Sequence, residues 1–174
     1  MKNLLIVTGF LLAMSFTGVV VADDDDRRER SWGGIFSSGA DVAPVNNATY
    51  KEECGGCHFA FQPGFLPARS WEKIMAGLSD HFGDNAELDA TLRQDILSYL
   101  QANAADRSDY KLSRRIMRGL SSADAPLRIT ELRKLAHEHN EINWRRMKSR
   151  GIEKKDMANC DKCHRDAAAG VFDD

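Results

Sequence analysis

The sequence predicts a mainly α protein, two small helical lobes joined by turn-rich loops, with no substantial sheet. Three observations carry that expectation. Apolar residues recur at helical spacing behind capping residues, as in Trp71, Ile74, Met75 and Leu78. No stretch alternates apolar and polar residues over several positions with β-branched enrichment, as a strand would. Two similar motifs, "ECGGCH" at 53–58 and "NCDKCH" at 159–164, lie far apart without wider self-similarity, which points to two unequal lobes rather than a tandem repeat. The 174 residues suffice for one or two small domains with modest cores.

Residues 1–22 read as a signal peptide: Lys2 precedes an apolar run from Leu4 to Val21, and Val20-Val21-Ala22 has the small-residue pattern of a cleavage site. An uncleaved anchor is the alternative, and no later segment is apolar for long enough to span a bilayer. Residues 23–47, rich in charge, Gly, Ser and Pro, read as a flexible leader. After the first motif, Pro63-Gly64 and Pro67 exclude a continuous helix and predict a turn-rich apolar loop. Ser70 then caps a helix with Trp71, Ile74, Met75, Leu78 and Phe82 on one stripe, which Gly83 ends. Asp89 caps a second helix, with Leu92, Ile96, Tyr99 and Leu100 on one face, running to about Ala104. Leu112, Ile116 and Leu120 suggest a short helix, and Ser121 to Pro126 reads as the link to the second half. From Thr130, "TELRKLAHEHNEINW" is helical again.

The charge balance of −2 conceals an uneven distribution. Residues 23–106 hold 7 basic and 15 acidic side chains (7 − 15 = −8), and residues 107–155 hold 14 basic and 6 acidic (14 − 6 = +8). Such a division can steer a charged partner into one orientation, although solvated helix faces give the same count.

The chain's four cysteines all fall in the two motifs. A thioredoxin-like site would need a βαβ frame, absent here. A zinc site could use two Cys-x-x-Cys pairs, yet neither chemistry asks for His directly after the second Cys. Covalent haem attachment does: two thiols add to the haem vinyl groups, and the adjacent His reaches the iron from the proximal side. Cys54 and Cys57 would hold haem 1 with His58 proximal, and Cys160 and Cys163 would hold haem 2 with His164 proximal. Residues 48–120 then form the haem 1 lobe and 121–174 the haem 2 lobe. Attachment takes place outside the cytoplasm, in keeping with the signal peptide and a periplasmic location.

The sixth ligands decide between electron transfer and small-molecule chemistry at an open iron. At about 100° per residue, His81 lies at about 280° from Trp71, beside Ile74 at about 300° and Leu78 at about 340°, and so faces inward. Counted from Leu132, His139 lies at about −20° with Leu135 and Ala136, and His137 at about 140°, on the wet side. His81 is 23 residues after His58 (81 − 58) and His139 is 21 before Cys160 (160 − 139), so the ligand loops are short. A crossed arrangement, each lobe capping the other's haem, stays open. Met75, Met117, Met147 and Met157 are weaker candidates, with Met117 the runner-up for haem 1. Arg69 and the Arg145, Arg146, Lys148 cluster can pair with haem propionates or stay solvated, Asp80 can orient His81, and Trp71 and Trp144 read as core or haem-packing residues.

From about Tyr50 to Phe172 the chain resembles the bacterial dihaem cytochrome c family, in "ECGGCHFAFQPGFLPARSW", "MAGLSDHFGDNAEL", "YLQANAAD", "PLRITE" and "NCDKCH". The resemblance implies a periplasmic, mainly helical, two-lobe electron carrier with two low-potential haems of bis-histidine ligation. It places the ligands on His58, His81, His139 and His164. It also implies redox proteins as partners, in several members a membrane b-type cytochrome as donor and a small monohaem c-type cytochrome as acceptor. The chain departs from the family pattern between "PLRITE" and "NCDKCH", in His137 and the basic "WRRMKSRGIEKK". The expectation is therefore a carrier, not an enzyme, with no nucleic acid partner and no stable membrane insertion after cleavage. A dihaem peroxidase or reductase, or a haem sensor with one open iron, is the alternative.

Overall fold

In the computed structural model, residues 39–172 are described. Over that range six α-helices alternate with short 3-10 turns, and the one extended pairing is an isolated bridge between His81 and Asp84. The helices are α1 (Ala48–Gly55), α2 (Ala68–Ala76), α3 (Ala90–Ala102), α4 (Lys111–Arg118), α5 (Arg133–Glu138) and α6 (Trp144–Lys148). The segments expected to be a signal peptide (1–22) and, up to residue 38, a leader lie outside the described residues.

The fold begins earlier than the sequence boundary at residue 48. Val42 and Val45, assigned to the leader, are 0% and 7% exposed. Their anchor comes from the far end of the chain: the Asp41 and Val42 N–H groups donate to the Gly170 carbonyl at 2.8 and 3.2 Å, and the Phe172 N–H donates to the Asp41 carboxylate at 2.9 Å. Asn47 then caps α1, its side-chain oxygen accepting from the Tyr50 N–H at 2.8 Å.

The predicted turn-rich loop is found as the buried 3-10 turn Pro63–Phe65. α2 opens at Ala68 with Pro67, not Ser70, at its N-cap. Pro67 lacks an N–H that would need a partner there, and Ser70 is instead fully buried inside the helix. The Trp71 indole N–H is satisfied by the Pro63 carbonyl at 2.9 Å. α2 packs on α3, and Trp71, Met75, Ile96 and Leu100 join one core cluster. Burying each is worth about 1.5–3 kcal/mol.

α2 stops at Ala76, not at Phe82. Gly77, which costs about 1 kcal/mol in a helix interior, caps it, and a 3-10 turn over Leu78–Asp80 follows. The Asp89 cap is found as expected, its carboxylate accepting from the Thr91 and Leu92 N–H groups at 3.0 Å each. Asp89→Ala should therefore cost about 1 kcal/mol in guanidinium unfolding; a loss within error of zero would mean the cap is redundant. The predicted long helix from Thr130 is broken into a 3-10 turn at Ile129–Glu131, then α5 and α6, with Leu132, 3% exposed, at the N-cap of α5.

Candidate functional site

The first motif straddles the end of α1. Cys54 lies in its last turn, half-buried, and Cys57 is exposed in the turn beyond. Burial, then the neighbouring Glu53 carboxylate, pushes the Cys54 thiol up to about 11. With Nδ1 protonated, His58 donates to the Phe59 carbonyl at 2.8 Å, which leaves the Nε2 lone pair free to bind a metal. The ring of Phe61 leans on that of His58, with centroids 5.1 Å apart.

His81 stands opposite His58, with ring centroids 6.1 Å apart and planes inclined by 24°. It reaches that place from a tight turn rather than a helix: the His81 N–H donates to the Asp84 carbonyl at 2.7 Å, and the Asp84 N–H returns to the His81 carbonyl at 3.3 Å. Asp80 acts on the turn rather than on the imidazole, its carboxylate accepting from the Gly83 N–H at 3.1 Å. Phe82 has φ 60°, in the left-handed region that costs a non-glycine residue about 1–3 kcal/mol. Its exposed ring carries the Arg128 guanidinium 4.0 Å from the centroid, a contact that offsets part of that cost. Burial and the neighbouring His58 lower the His81 pKa, favouring the neutral imidazole that ligates metals.

The second motif winds into a 3-10 turn, Cys160–Lys162, and the His164 N–H donates to the Cys160 carbonyl at 2.8 Å. Lys162 ties this turn to the preceding one through Asp156 at 2.6 Å. Burial, then Asp161, pushes the Cys160 thiol up to about 11. His139, at the C-cap of α5, faces His164 with centroids 6.0 Å apart and planes nearly perpendicular, at 81°. Its Nδ1 is paired with the Leu135 carbonyl at 2.7 Å, the same anchoring as that of His58. Between them lies a cavity of 540 Å³ whose walls include Cys160, Cys163, Phe61, Phe65, Trp144 and Met147, within the range of about 300–1,000 Å³ usual for ligand pockets.

The structure thus sets each motif histidine beside its sequence-local partner, His58 with His81 and His164 with His139, and leaves His137 exposed on α5. Met75 is core, 2% exposed; Met117 sits half-buried on α4; Met147 and Met157 line the cavity between His139 and His164. Arg69 is engaged elsewhere, donating to the Asp124 and Ser121 carbonyls at 2.5 and 2.9 Å, and so clamps the link between the halves. Sequence reading missed Phe61 and Gln62. Gln62 is fully buried and donates to the Ala167 carbonyl at 2.5 Å, and the Phe59 N–H donates to Ala158 at 3.3 Å, so the two motif segments adjoin. Only the proximity of Phe61 and Gln62 to the first motif could have flagged them. Among the described residues no three His, Cys, Asp or Glu cluster as a metal-binding group, so the four thiols do not converge as a zinc site would need.

Two tethers, two facing histidine pairs and an apolar cavity suit haem, and the family comparison agrees. The family model described as dihaem cytochrome c matches residues 50–172. The chain belongs to the dihaem cytochrome c family. Its cofactors are two covalently bound c-type haems, and its four cysteines fall in the two motifs that fit them. A dihaem cytochrome c from Rhodobacter sphaeroides is 40% identical, with a TM-score of 0.65, over 75% of this chain and 100% of that one. A crystal structure of DHC purified from Rhodobacter sphaeroides is 38% identical, with a TM-score of 0.58, over 74% of this chain and 99% of that one. A dihaem cytochrome c from Shewanella baltica OS155 is 34% identical, with a TM-score of 0.56, over 73% and 87%. No curated protein matches. Family membership supports a haem-based electron-carrier role, in the mainly helical, sheet-free fold that the sequence predicts. Among the described residues no helix is long and apolar enough to cross a membrane.

Proposed function

We propose that the protein is a periplasmic electron carrier, without substrate chemistry of its own, in which both irons are six-coordinate. His58 and His81 are the axial ligands of haem 1, within residues 48–120, and His164 and His139 those of haem 2, within residues 121–174. The observation that carries the reading is the spacing of the ring pairs. Two metal–nitrogen bonds of about 2 Å, plus about 1 Å from each nitrogen to its ring centre, put two axial imidazoles about 6 Å apart. The measured separations are 6.1 and 6.0 Å.

When bound, each haem supplies a one-electron couple. The protein's own part is to fix the axial ligands, keep water from the iron and set the potential, which bis-histidine ligation holds lower than histidine–methionine ligation does. The Nδ1 bonds to the Phe59 and Leu135 carbonyls orient one imidazole at each site and raise its basicity. Export by residues 1–22 gives access to periplasmic redox proteins, with a membrane b-type cytochrome as donor and a small monohaem c-type cytochrome as acceptor.

EPR of the oxidised protein tests the ligation. Nearly parallel imidazole planes split the two iron dπ orbitals and give a rhombic low-spin signal; crossed planes leave those orbitals close in energy and give a strongly anisotropic signal with a large maximal g. One signal of each kind is expected, from the 24° and 81° pairs respectively. A high-spin signal from the isolated protein would instead identify an open iron and favour an enzyme or sensor.

A further inference from the structure

We propose that the basic rim formed by α6 and the turn after it is the docking face for an acidic redox protein, and that electrons enter haem 2 there. The inference rests on the carrier reading and adds a port and the chemistry of the partner. α6 is built with two sides. Trp144 and Met147, with Ile142 and Ile152 flanking the helix, line the 540 Å³ cavity that holds His139 and His164. Arg145, Arg146 and Lys148 are exposed, as are Arg150 and Lys154 beyond the helix. Residues 144–155 hold 6 basic side chains and 1 acidic (6 − 1 = +5).

Nearby cations are neutralised within the fold: Lys155 pairs with Glu153 at 3.1 Å and Lys162 with Asp156 at 2.6 Å. Arg145, Arg146, Lys148, Arg150 and Lys154 have no ion pair among the described residues. Five uncompensated cations on one lip repel one another, and their field reaches about 10 Å into solution at moderate salt, where it raises the encounter rate with a negative surface. The apolar residues of α6 face inward, which leaves no outward apolar stripe for a bilayer, so the occupant is a protein rather than a lipid surface. At the docked face the partner's reduced cofactor gives up one electron and the ferric iron of haem 2 becomes ferrous, with no bond formed or broken.

The test is stopped-flow reduction of the oxidised holo-protein by the hydroquinone of a flavodoxin, a probe with carboxylates around its flavin. Each electron it gives turns the anionic hydroquinone into the neutral semiquinone. Between ionic strengths of about 0.01 and 0.15 M the second-order rate constant is expected to fall at least about tenfold. Arg145→Glu/Arg146→Glu/Lys148→Glu should lower the low-salt rate about tenfold and flatten the salt dependence. The same charge change placed at Lys73, Lys111 and Arg118 should keep most of both. Equal losses in the two triple variants, or a parent-like α6 variant, would overturn the proposal. So would an α6 variant that changes only the potential of haem 2, which would assign the cations to its propionates. A salt-independent parent that sediments with phosphatidylglycerol vesicles would assign the rim to a membrane. Failure of the carrier reading itself has a separate signature, a parent that shows high-spin iron or does not take up two electrons from dithionite.

Discussion

His81→Ala is expected to convert one of the two irons from low to high spin and to leave the other untouched. In the oxidised protein this should remove about half of the low-spin intensity, all of it from the rhombic signal, because His81 belongs to the pair inclined by 24°. His139→Ala should do the reverse, removing the large-g signal that the 81° pair produces. The effect is large because an imidazole nitrogen is a strong-field donor, whereas water or an empty position is weak. The hydrogen bonds that shape the turn do not use the imidazole: the bridge to Asp84 joins backbone groups and the Gly83 N–H is held by the Asp80 carboxylate, so the ring's local contact is with Phe82, centroids 4.7 Å apart. The variant should therefore keep its fold. His81→Met should restore low spin through the thioether and raise that haem's potential above the parent's. If either alanine variant removed the other signal, the ligands would be crossed between the haems; if neither changed the spin state, the assignment of both distal histidines would fail.

Gly170→Ala is expected to destabilise the protein by about 3 kcal/mol in guanidinium unfolding, about 1 from the backbone conformation and the rest from lost closure bonds. Gly170 has φ +79°, and a Cβ there would lie 2.1 Å from the Val42 carbonyl oxygen. The chain would have to retreat from Asp41 and Val42, both of which donate to the Gly170 carbonyl. Gly151→Ala is the matched control, because its φ is +74° with nothing within 4 Å of the added carbon. It should lose about 1 kcal/mol. Equal losses at the two positions would mean that the contact with Val42 is unimportant and that only the left-handed backbone matters.

These two sites also mark how far the sequence could be read. The helical stripe from Trp71 identifies His81, yet the helix ends at Ala76 and the histidine stands on a bridged turn. The wheel's side is kept because the 3-10 turn after Gly77 holds Leu78 buried, and three residues on, the His81 ring lies opposite that of His58. Its failure was legible in Gly77, which the pattern of apolar residues outweighed. His139 follows the wheel more closely, since α5 reaches Glu138 and the C-cap holds the ring against the Leu135 carbonyl. The caps at Asp89 and the tethers at 54–58 and 160–164 are local chemistry and could be read directly. Docking of Val42 and Val45 could not, because the carbonyl that holds Asp41 and Val42 belongs to Gly170, and nothing near residue 42 announces it. Phe61 is of the same kind: its neighbours in sequence place it beside the first motif, and only the folded chain puts it on the wall of the cavity that holds His139 and His164.

The joining of the two motif segments has a consequence for biosynthesis. The segment after the first motif is held by the Ala158 and Ala167 carbonyls, yet Cys54 precedes Cys160 by 106 residues (160 − 54). Chains are made from the N-terminus onward, so the first motif is complete before the residues that brace the segment behind it have been made. The residues that brace the first motif segment are made together with the second motif, so the packing around His58 is completed only by the last part of the chain.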